Sequence, residues 1–272
     1  MPKKIISILS IAGSDPCGGA GIQADIRTGA AVGVHVLTAI TSVTVQNSHG
    51  LLEIGAVSPE LLKKQLDAIL MDCLPDAIKV GMVGSIENGH IISDFIKKVY
   101  VDVPIVIDPI FSASANDKMM LEKGDEESWR ELYLNDLFPF STLITPNKKE
   151  LKILIGEDIF RKKDFTEMRK LLNADNLIIT DGDSSQNIIE EYLCMPNEVL
   201  NYSHPKIKSK NLHGTGCVFS SLMASFLGLG FDLIEAFKFA DKYIEKIIND
   251  SKGYILGESK YGPLNINNYT LI

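Results

Sequence analysis

Short apolar runs alternate with helix-like segments along the whole chain, and this alternation constrains the fold more than any other feature. Most of the runs lack the in-and-out pattern of a half-exposed strand, as expected for parallel strands covered on both faces. The predicted strands are Ile5–Ala12, Val36–Gln46, Ala77–Val80, Ile105–Ile107, Thr142–Thr145 and Leu177–Thr180. The pattern predicts an α/β fold in which helices connect parallel strands.

Helical periodicity fills most of the sequence between these strands. The predicted helices are Ala20–Ala31, Pro59–Met71, Ile86–Val99, Lys149–Leu154, Phe165–Leu172, Val218–Leu229 and Leu233–Asn249. The segment Ile188–Tyr202 is typical of irregular or antiparallel strands, such as an edge hairpin. Because no repeat, low-complexity tract or linker interrupts the pattern, we predict one domain over residues 1–272.

The charge balance and the cysteines limit the partners and the compartment. The net charge of −8 argues against nucleic acid as a main partner. The cluster Lys206, Lys208 and Lys210 is either a solvated loop or a lid near phosphates. Four cysteines without paired or metal-binding spacing, and no apolar run of about 20 residues, predict a cytoplasmic protein that does not enter a membrane.

Polar residues or glycines follow each of the six predicted strands. In open α/β sheets the ligand lies outside the carboxyl ends of the strands, so these residues predict one convergent site. They are Gly13-Ser14-Asp15, Gln46-Asn47, Gly81-Met82, Asp108-Pro109, Pro146-Asn147 and Asp181-Gly182.

The segment His213-Gly214-Thr215-Gly216-Cys217 directly precedes an apolar helical run. Its glycines allow successive N–H groups to point one way, and the helix adds the positive end of its dipole. This arrangement predicts an anion site, although a tight strand-to-helix turn has the same pattern. Cys217 falls in the first helical turn, where we expect a lowered pKa and a thiolate that acts as a base.

The glycine-rich loop from Gly13 to Gly21 matches neither standard nucleotide-binding motif. Asp25 follows one turn into the next helix and is either a ligand clamp or a solvated side chain. Gln46 can donate to and accept from one edge of a heterocycle. Asn147 and Glu150, three residues apart at a helix start, suit a hydrated Mg²⁺ or a capping box, and the two roles can coexist.

These motifs together resemble those of the hydroxymethylpyrimidine/phosphomethylpyrimidine kinases of thiamine biosynthesis. The resemblance covers nearly the whole chain and follows the family's order. The segments that carry it are Ile11–Pro16, Gly18–Asp25, Thr44–Asn47, Ile78–Met82, Asp108-Pro109, Thr145–Asn147 with Glu150, and His213–Cys217. The resemblance implies a ribokinase-like three-layer α/β/α sandwich with a mostly parallel central sheet, commonly assembled as a homodimer.

The resemblance also implies substrate contacts. Asp25 and Gln46 would hold the aminopyrimidine, in a slot shaped by Gly13, Ala20 and Met82.

On the phosphate side, the resemblance implies that Gly214, Thr215 and Gly216 supply the anion hole. Cys217 would stand where other ribokinase relatives keep an Asp and would accept the proton of the substrate hydroxymethyl group or phosphate. Asp108 and Glu150 would hold Mg²⁺. The ATP side of the site would include Asn147, Asp181 and Gly182.

Two departures from the family pattern remove lysines near the expected phosphates. Family members often carry a Lys-Ser-Gly stretch where this chain has Ser112–Asn116, and a Met-Lys-Gly-Gly-His stretch where it has Ile179–Asp183. Lys148, Lys208 or Lys210 could supply the missing charge.

The expected reaction is ATP- and Mg²⁺-dependent phosphorylation of 4-amino-5-hydroxymethyl-2-methylpyrimidine and then of its monophosphate. A vitamin B6 kinase is an alternative, because pyridoxal is also a flat ring with a hydroxymethyl group. A non-catalytic pyrimidine-binding protein of the same fold is a third reading. The missing lysines motivate it, whereas the intact Gly214–Cys217 segment, Asp108 and Glu150 count against it.

Overall fold

A computed structural model of the chain describes residues 4–47, 49–111, 126–156, 164–180, 187–257 and 262–266. Within them, nine strands form one sheet. The strands are β1 Ser7–Ser14, β2 His35–Asn47, β3 Gly50–Ala56, β4 Ala77–Val80, β5 Ile105–Ile107, β6 Leu143–Ile144, β7 Leu177–Ile179, β8 Ile188–Cys194 and β9 Val199–Pro205.

Eight α-helices accompany the sheet in the described ranges. They are α1 Gly21–Ala31, α2 Pro59–Asp72, α3 Ile86–Val99, α4 Glu126–Glu131, α5 Lys148–Ile155, α6 Phe165–Leu171, α7 Thr215–Gly228 and α8 Leu233–Asp250. A π-helical turn over Leu132–Leu137 and a 3₁₀ turn over Phe138–Phe140 continue α4.

The strand order is β3-β2-β1-β4-β5-β6-β7-β8-β9. The neighbours from β2 through β7 are parallel, whereas β3, β8 and β9 pair antiparallel at the two edges. The chain moves outward from β1 to β2 and then returns to the other side of β1 at β4. This reversal is a topological switch point, so the ends of β1 and β4 border the expected ligand crevice.

Alternate residues of the central strands enter two separate hydrophobic cores. In β5, Ile105 and Ile107 belong to one core, and Val106 between them belongs to the other. The first core includes buried side chains of α2 to α6, and the second those of α1, α7 and α8. Helices therefore cover both faces of the sheet, which explains why the strands are almost continuously apolar.

The structure confirms a mostly parallel sheet between helices, and every predicted strand and helix overlaps an observed element. The hairpin of β8 and β9 resolves the segment Ile188–Tyr202 in favour of antiparallel strands. The strand β3 and the helical segment from Glu126 to Phe140 were not predicted. None of the helices in the described part of the chain combines the length and apolar character that a membrane crossing requires.

Candidate active site

A cavity of about 710 Å³ opens at the carboxyl edge of the sheet. Residues at the ends of all six predicted strands line it, together with the segment that begins α7. The expected convergence of strand ends is therefore present. The predicted site residues in its lining are Gly13, Ala20, Gln46, Met82, Asp108, Asn147, Glu150, Gly214, Thr215, Gly216 and Cys217.

One carboxylate organises the glycine-rich loop after β1. Asp15 Oδ1 accepts from the N–H of Cys17 at 2.8 Å, and Oδ2 accepts from the N–H groups of Gly19 at 3.1 Å and Ala20 at 2.9 Å. Burial alone would raise the pKa of Asp15, but hydrogen bonds from His213 and from the backbone hold it below its usual value. The loop thus closes around an ionised side chain.

The segment before α7 packs directly on this loop. Gly214 has φ 86°, and a Cβ at this position would lie 1.9 Å from the carbonyl oxygen of Gly19. Only glycine fits such a conformation and such an approach. The two glycine-rich motifs therefore form one wall of the cavity.

Two of the helices that begin at the cavity, α1 and α7, differ from the capped helices at their N-termini. Side chains accept from free backbone N–H groups at the starts of α2, α3, α5, α6 and α8, through Ser58, Ser85, Asn147, Asp164 and Asp232. Among the described residues, no side chain caps α1 or α7. No capping side chain therefore separates these two helix starts from an anion in the cavity, although the N–H of Thr215 already donates to the carbonyl oxygen of Leu212 at 3.2 Å and the N–H of Gly21 to Cys217.

The structure corrects the prediction that Asp25 holds the pyrimidine. Asp25 is fully buried and does not line the cavity. Its carboxylate accepts from the hydroxyls of Ser10 and Ser221, and Lys79 Nζ lies 3.0 Å from both oxygens. Four donor contacts saturate the carboxylate beneath the cavity floor, so direct ligand contact is excluded.

Lys79 is a buried, charged side chain. It lies in the segment Ile78–Met82, and the sequence alone gave no role for it. Burial alone would lower the pKa of Lys79, but Asp25, and then Cys217 and Asp108, raise it above the ordinary value. Lys79 therefore stays charged beneath the site. A lysine inside the apolar strand β4 was the signal that could have revealed it, because such a charge is rarely buried without a partner.

The prediction of a stabilised thiolate at Cys217 was wrong for the isolated protein. Burial raises the pKa of Cys217 to about 12, and Asp108 and Asp25 add to this effect, while Lys79 and a backbone hydrogen bond from Gly21 oppose it. The prediction considered the helix dipole and not burial or the two carboxylates. Cys217 is a thiol at neutral pH.

Asp108 lies between this buried cluster and the cavity. Its Oδ2 accepts from the hydroxyl of Ser220 at 3.1 Å. Burial raises the pKa of Asp108 to about 6, against the attraction of Lys79. Asp108 is therefore mostly ionised at neutral pH and borders the space in which a ligand would lie.

Asn147 and Glu150 form the predicted capping box of α5. Asn147 Oδ1 accepts from the N–H of Glu150 at 2.9 Å, and Glu150 Oε2 accepts from the N–H of Asn147 at 2.9 Å. Both residues also line the cavity, so capping and ligand contact are compatible.

Several predicted positions lie away from the described lining. Asp181 and Gly182 fall outside the described residues, as do Ser112–Asn116. Of the basic cluster, Lys206 and Lys210 line the cavity, whereas Lys208 is exposed and does not. The edge hairpin adds Glu191 and His204 to the lining, which an ambiguous strand pattern gave no reason to expect.

Comparison with known proteins shows the family to which the chain belongs. Residues 15–265 match the sequence profile of a family described as phosphomethylpyrimidine kinase. The chain belongs to this family. It is 33% identical over 268 residues to the hydroxymethylpyrimidine/phosphomethylpyrimidine kinase of Bacillus subtilis, covering 96% of this chain and 94% of that one. This membership makes the protein a phosphotransferase.

The chain spans 46% of a probable thiamine biosynthetic bifunctional enzyme of rice, at 31% identity over 94% of its own length. Among solved structures, a pyridoxal kinase from Bacillus subtilis superposes with a TM-score of 0.83 at 26% identity, covering 96% of this chain and 97% of that one. A phosphomethylpyrimidine kinase from Clostridium difficile gives 0.71 at 29% identity, covering 89% of this chain and all of that one. The expected ribokinase-like fold is confirmed.

Proposed function

We propose that this phosphomethylpyrimidine kinase family member transfers the γ-phosphoryl group of ATP to 4-amino-5-hydroxymethyl-2-methylpyrimidine and then to its monophosphate. The observation that carries the proposal is the wall of the cavity in which α1 and α7 both begin without a side-chain cap. The positive ends of two helix dipoles at one wall suit a reaction in which negative charge moves through the site. Residues 1–272 would act as one kinase domain.

On the substrate side, Gln46 would contact the edge of the pyrimidine. Gly13, Ala20 and Met82 would border its ring, because all three line the cavity near the glycine-rich loop. A Cβ added to Gly13 would lie 2.8 Å from Ser42 Oγ and 3.0 Å from Met82 Sδ, so the absence of a side chain at Gly13 lets Met82 pack against this part of the lining. Asp25 would act only indirectly, because its carboxylate keeps Lys79 charged beneath the cavity.

On the phosphate side, Gly214, Thr215 and Gly216 would bind the phosphoryl oxygens. Phosphoryl transfer passes through a loose transition state and depends mainly on positioning and charge stabilisation. Lys79 would stabilise the developing charge from below. We retain Cys217 as the proposed proton acceptor. Its thiol would first release its own proton to solvent in the cavity, and the resulting thiolate would then take the proton of the substrate hydroxyl group.

Mg²⁺ would be held by Asp108 and Glu150, two buried carboxylates that line the cavity. Carboxylate oxygens are ligands that Mg²⁺ prefers, and the ion commonly takes one or two of them together with substrate phosphates. When bound, the ion neutralises charge on the transferred phosphoryl group. Asn147 would contribute on the ATP side, where Asp181 and Gly182 remain predictions.

The proposed kinase activity can be tested by measuring ADP release with MgATP. The hydroxymethylpyrimidine, its monophosphate and pyridoxal are offered in separate reactions. Product masses identify what is phosphorylated. The Cys217→Ala variant should lose activity, whereas Cys73→Ala, a matched change at the end of α2, should keep it. Failure of all three compounds to react would refute the kinase assignment and favour a pyrimidine-binding protein.

Pyridoxal is a second candidate substrate because of the 26% identity to a Bacillus subtilis pyridoxal kinase over 96% of this chain. Faster turnover of pyridoxal than of either pyrimidine in the same assay would make it the preferred substrate.

We also propose a cytoplasmic homodimer. Val43 and Val45 on β2 and Leu52 on β3 are more than half exposed, which supports burial against a second copy. A monomeric mass by sedimentation at micromolar concentration would contradict it.

A further inference from the structure

His213 joins two parts of the cavity wall that are distant in sequence. Its Nε2 lies 3.3 Å from Asp15 Oδ2 and 3.1 Å from the side-chain nitrogen of Gln46. Asp15 belongs to the loop after β1, Gln46 to the end of β2, and His213 directly precedes Gly214. All three line the cavity.

The proton on His213 is fixed by Asp15. This carboxylate already accepts three backbone N–H groups, which is the arrangement of an ionised side chain. An ionised carboxylate can only accept, so the imidazole nitrogen beside it must carry a hydrogen. Nε2 of His213 therefore carries a hydrogen.

The proton on Nε2 in turn fixes the orientation of Gln46. A protonated Nε2 cannot accept from an amide NH₂ group, so the amide oxygen has to face the imidazole. The two ends of a carboxamide have the same shape, and the hydrogen-bond network decides which end points where. With the oxygen turned to His213, the NH₂ group of Gln46 is left for the cavity.

The strand end is also attached to the loop through the backbone. The Cys17 thiol lies 3.6 Å from the carbonyl oxygen of Gln46, and Thr44 Oγ1 donates to the carbonyl oxygen of Ser14 at 3.0 Å. These contacts hold the end of β2 against the Asp15 loop. The amide of Gln46 is thus preorganised before a ligand arrives.

We propose that Asp15 and His213 are positioning residues that direct the NH₂ group of Gln46 into the cavity, so that the site selects rings with an unprotonated nitrogen acceptor. The proposal rests on the proposed pyrimidine kinase function. It adds that Gln46 acts as a hydrogen-bond donor to the ring, and that two residues without direct ring contact determine this.

The orientation itself can be tested without substrate. ¹⁵N NMR of imidazole-labelled protein, with the His213 signals assigned by their loss in His213→Gln, reports which nitrogen carries the proton. We expect a hydrogen on Nε2 in the wild type and a loss of this preference in Asp15→Asn. A wild-type His213 protonated on Nδ1 alone would overturn the proposal whether or not the protein is a kinase.

The consequence for selection is tested by calorimetric binding of hydroxymethylpyrimidine and of 2-aminobenzyl alcohol. The second compound keeps the amine and the hydroxymethyl group but lacks both ring nitrogens. Gln46→Glu keeps an acceptor for His213 and replaces the NH₂ group with an oxygen. We expect it to weaken pyrimidine binding at least about tenfold and to weaken binding of the benzyl alcohol by a clearly smaller factor, since only the pyrimidine loses a donor to a ring nitrogen.

The affinity for ATP, measured in parallel, should not change in Gln46→Glu, which separates a local effect from a damaged fold. Equal pyrimidine affinity in Gln46→Glu and wild type would overturn the proposal. If the wild type binds no pyrimidine, the proposed function fails, while the NMR result still decides the orientation of Gln46.

Discussion

The buried pair of Lys79 and Asp25 allows the strongest quantitative prediction. Both side chains are fully buried, and Lys79 Nζ lies 3.0 Å from both carboxylate oxygens. Lys79→Met keeps the side-chain length but leaves Asp25 with hydroxyl donors only. Breaking a buried pair costs about 3–5 kcal/mol. At roughly 2–3 °C per kcal/mol for a protein of this size, the melting temperature should fall by about 6–15 °C.

The assay is a double-mutant cycle, with melting temperatures from circular dichroism and unfolding free energies from urea titration. Asp25→Asn alone should also destabilise, because it leaves a buried ammonium group without its counter-charge. The double variant Lys79→Met/Asp25→Asn should be more stable than the sum of the single effects predicts. Lys64→Met, the same change at the exposed pair with Glu60, should alter stability by less than about 1 kcal/mol.

The loss of unfolding free energy in Lys79→Met, called the deficit below, should depend on pH in a definite direction. Because the pKa of Lys79 is raised on folding, its contribution is complete below the ordinary lysine value of about 10.4 and is lost only as the pH rises further. The deficit of Lys79→Met should therefore not shrink between about pH 6 and pH 9, and it should grow with pH in this window because the loss of Lys79 raises the pKa of Asp108 further. Additive single effects, or a melting temperature within about 2 °C of wild type, would refute the account of a coupled buried pair.

Three further predictions concern the cavity wall. Gly214→Ala, strained at φ 86° and with its Cβ 1.9 Å from a carbonyl oxygen, should lower the melting temperature by several degrees. Gly216→Ala, whose Cβ would lie 3.9 Å from Asp108 Oδ2, should not. Burial raises the pKa of Cys217 to about 12, so it should be alkylated more slowly than Cys73 at about pH 7.5, as followed by mass spectrometry. Faster alkylation of Cys217 would contradict the conclusion that it is a thiol in the protein without ligands. Asn147→Ala removes the cap of α5 and should cost about 1 kcal/mol by urea titration, and an unchanged stability would show that the capping box contributes nothing.

Most of the fold could be predicted because its central strands are buried on both faces and read as uninterrupted apolar runs. β4 and β5 were predicted with their observed bounds for this reason. β3 was missed because it is a half-exposed edge strand with an irregular pattern and glycines. At such an edge, pairing with β2 determines the structure more than the sequence of the strand itself.

The candidate site was predictable where backbone geometry depends on residue type, and less so where charges interact across the fold. The convergence of polar strand ends was predictable because parallel strands end at one edge of the sheet, whereas Gly214–Cys217 follows no predicted strand directly and was placed at the site by the family resemblance. The role of Asp25 was misjudged because no local pattern shows that it meets Lys79, 54 residues away. The pKa of Cys217 was misjudged for the same reason, since burial is set by distant elements.

The missing side-chain caps of α1 and α7 imply that some folding stability is given up where the protein would bind phosphate. A Ser or Asp at the start of a helix typically contributes about 1 kcal/mol, and neither α1 nor α7 gains this from a described side chain. Ala20 precedes α1 in an extended conformation that a serine could adopt, so the omission is not forced by the backbone. A bound phosphate would take the place of the cap, so the substrate itself would complete the folded state and protect it against heat.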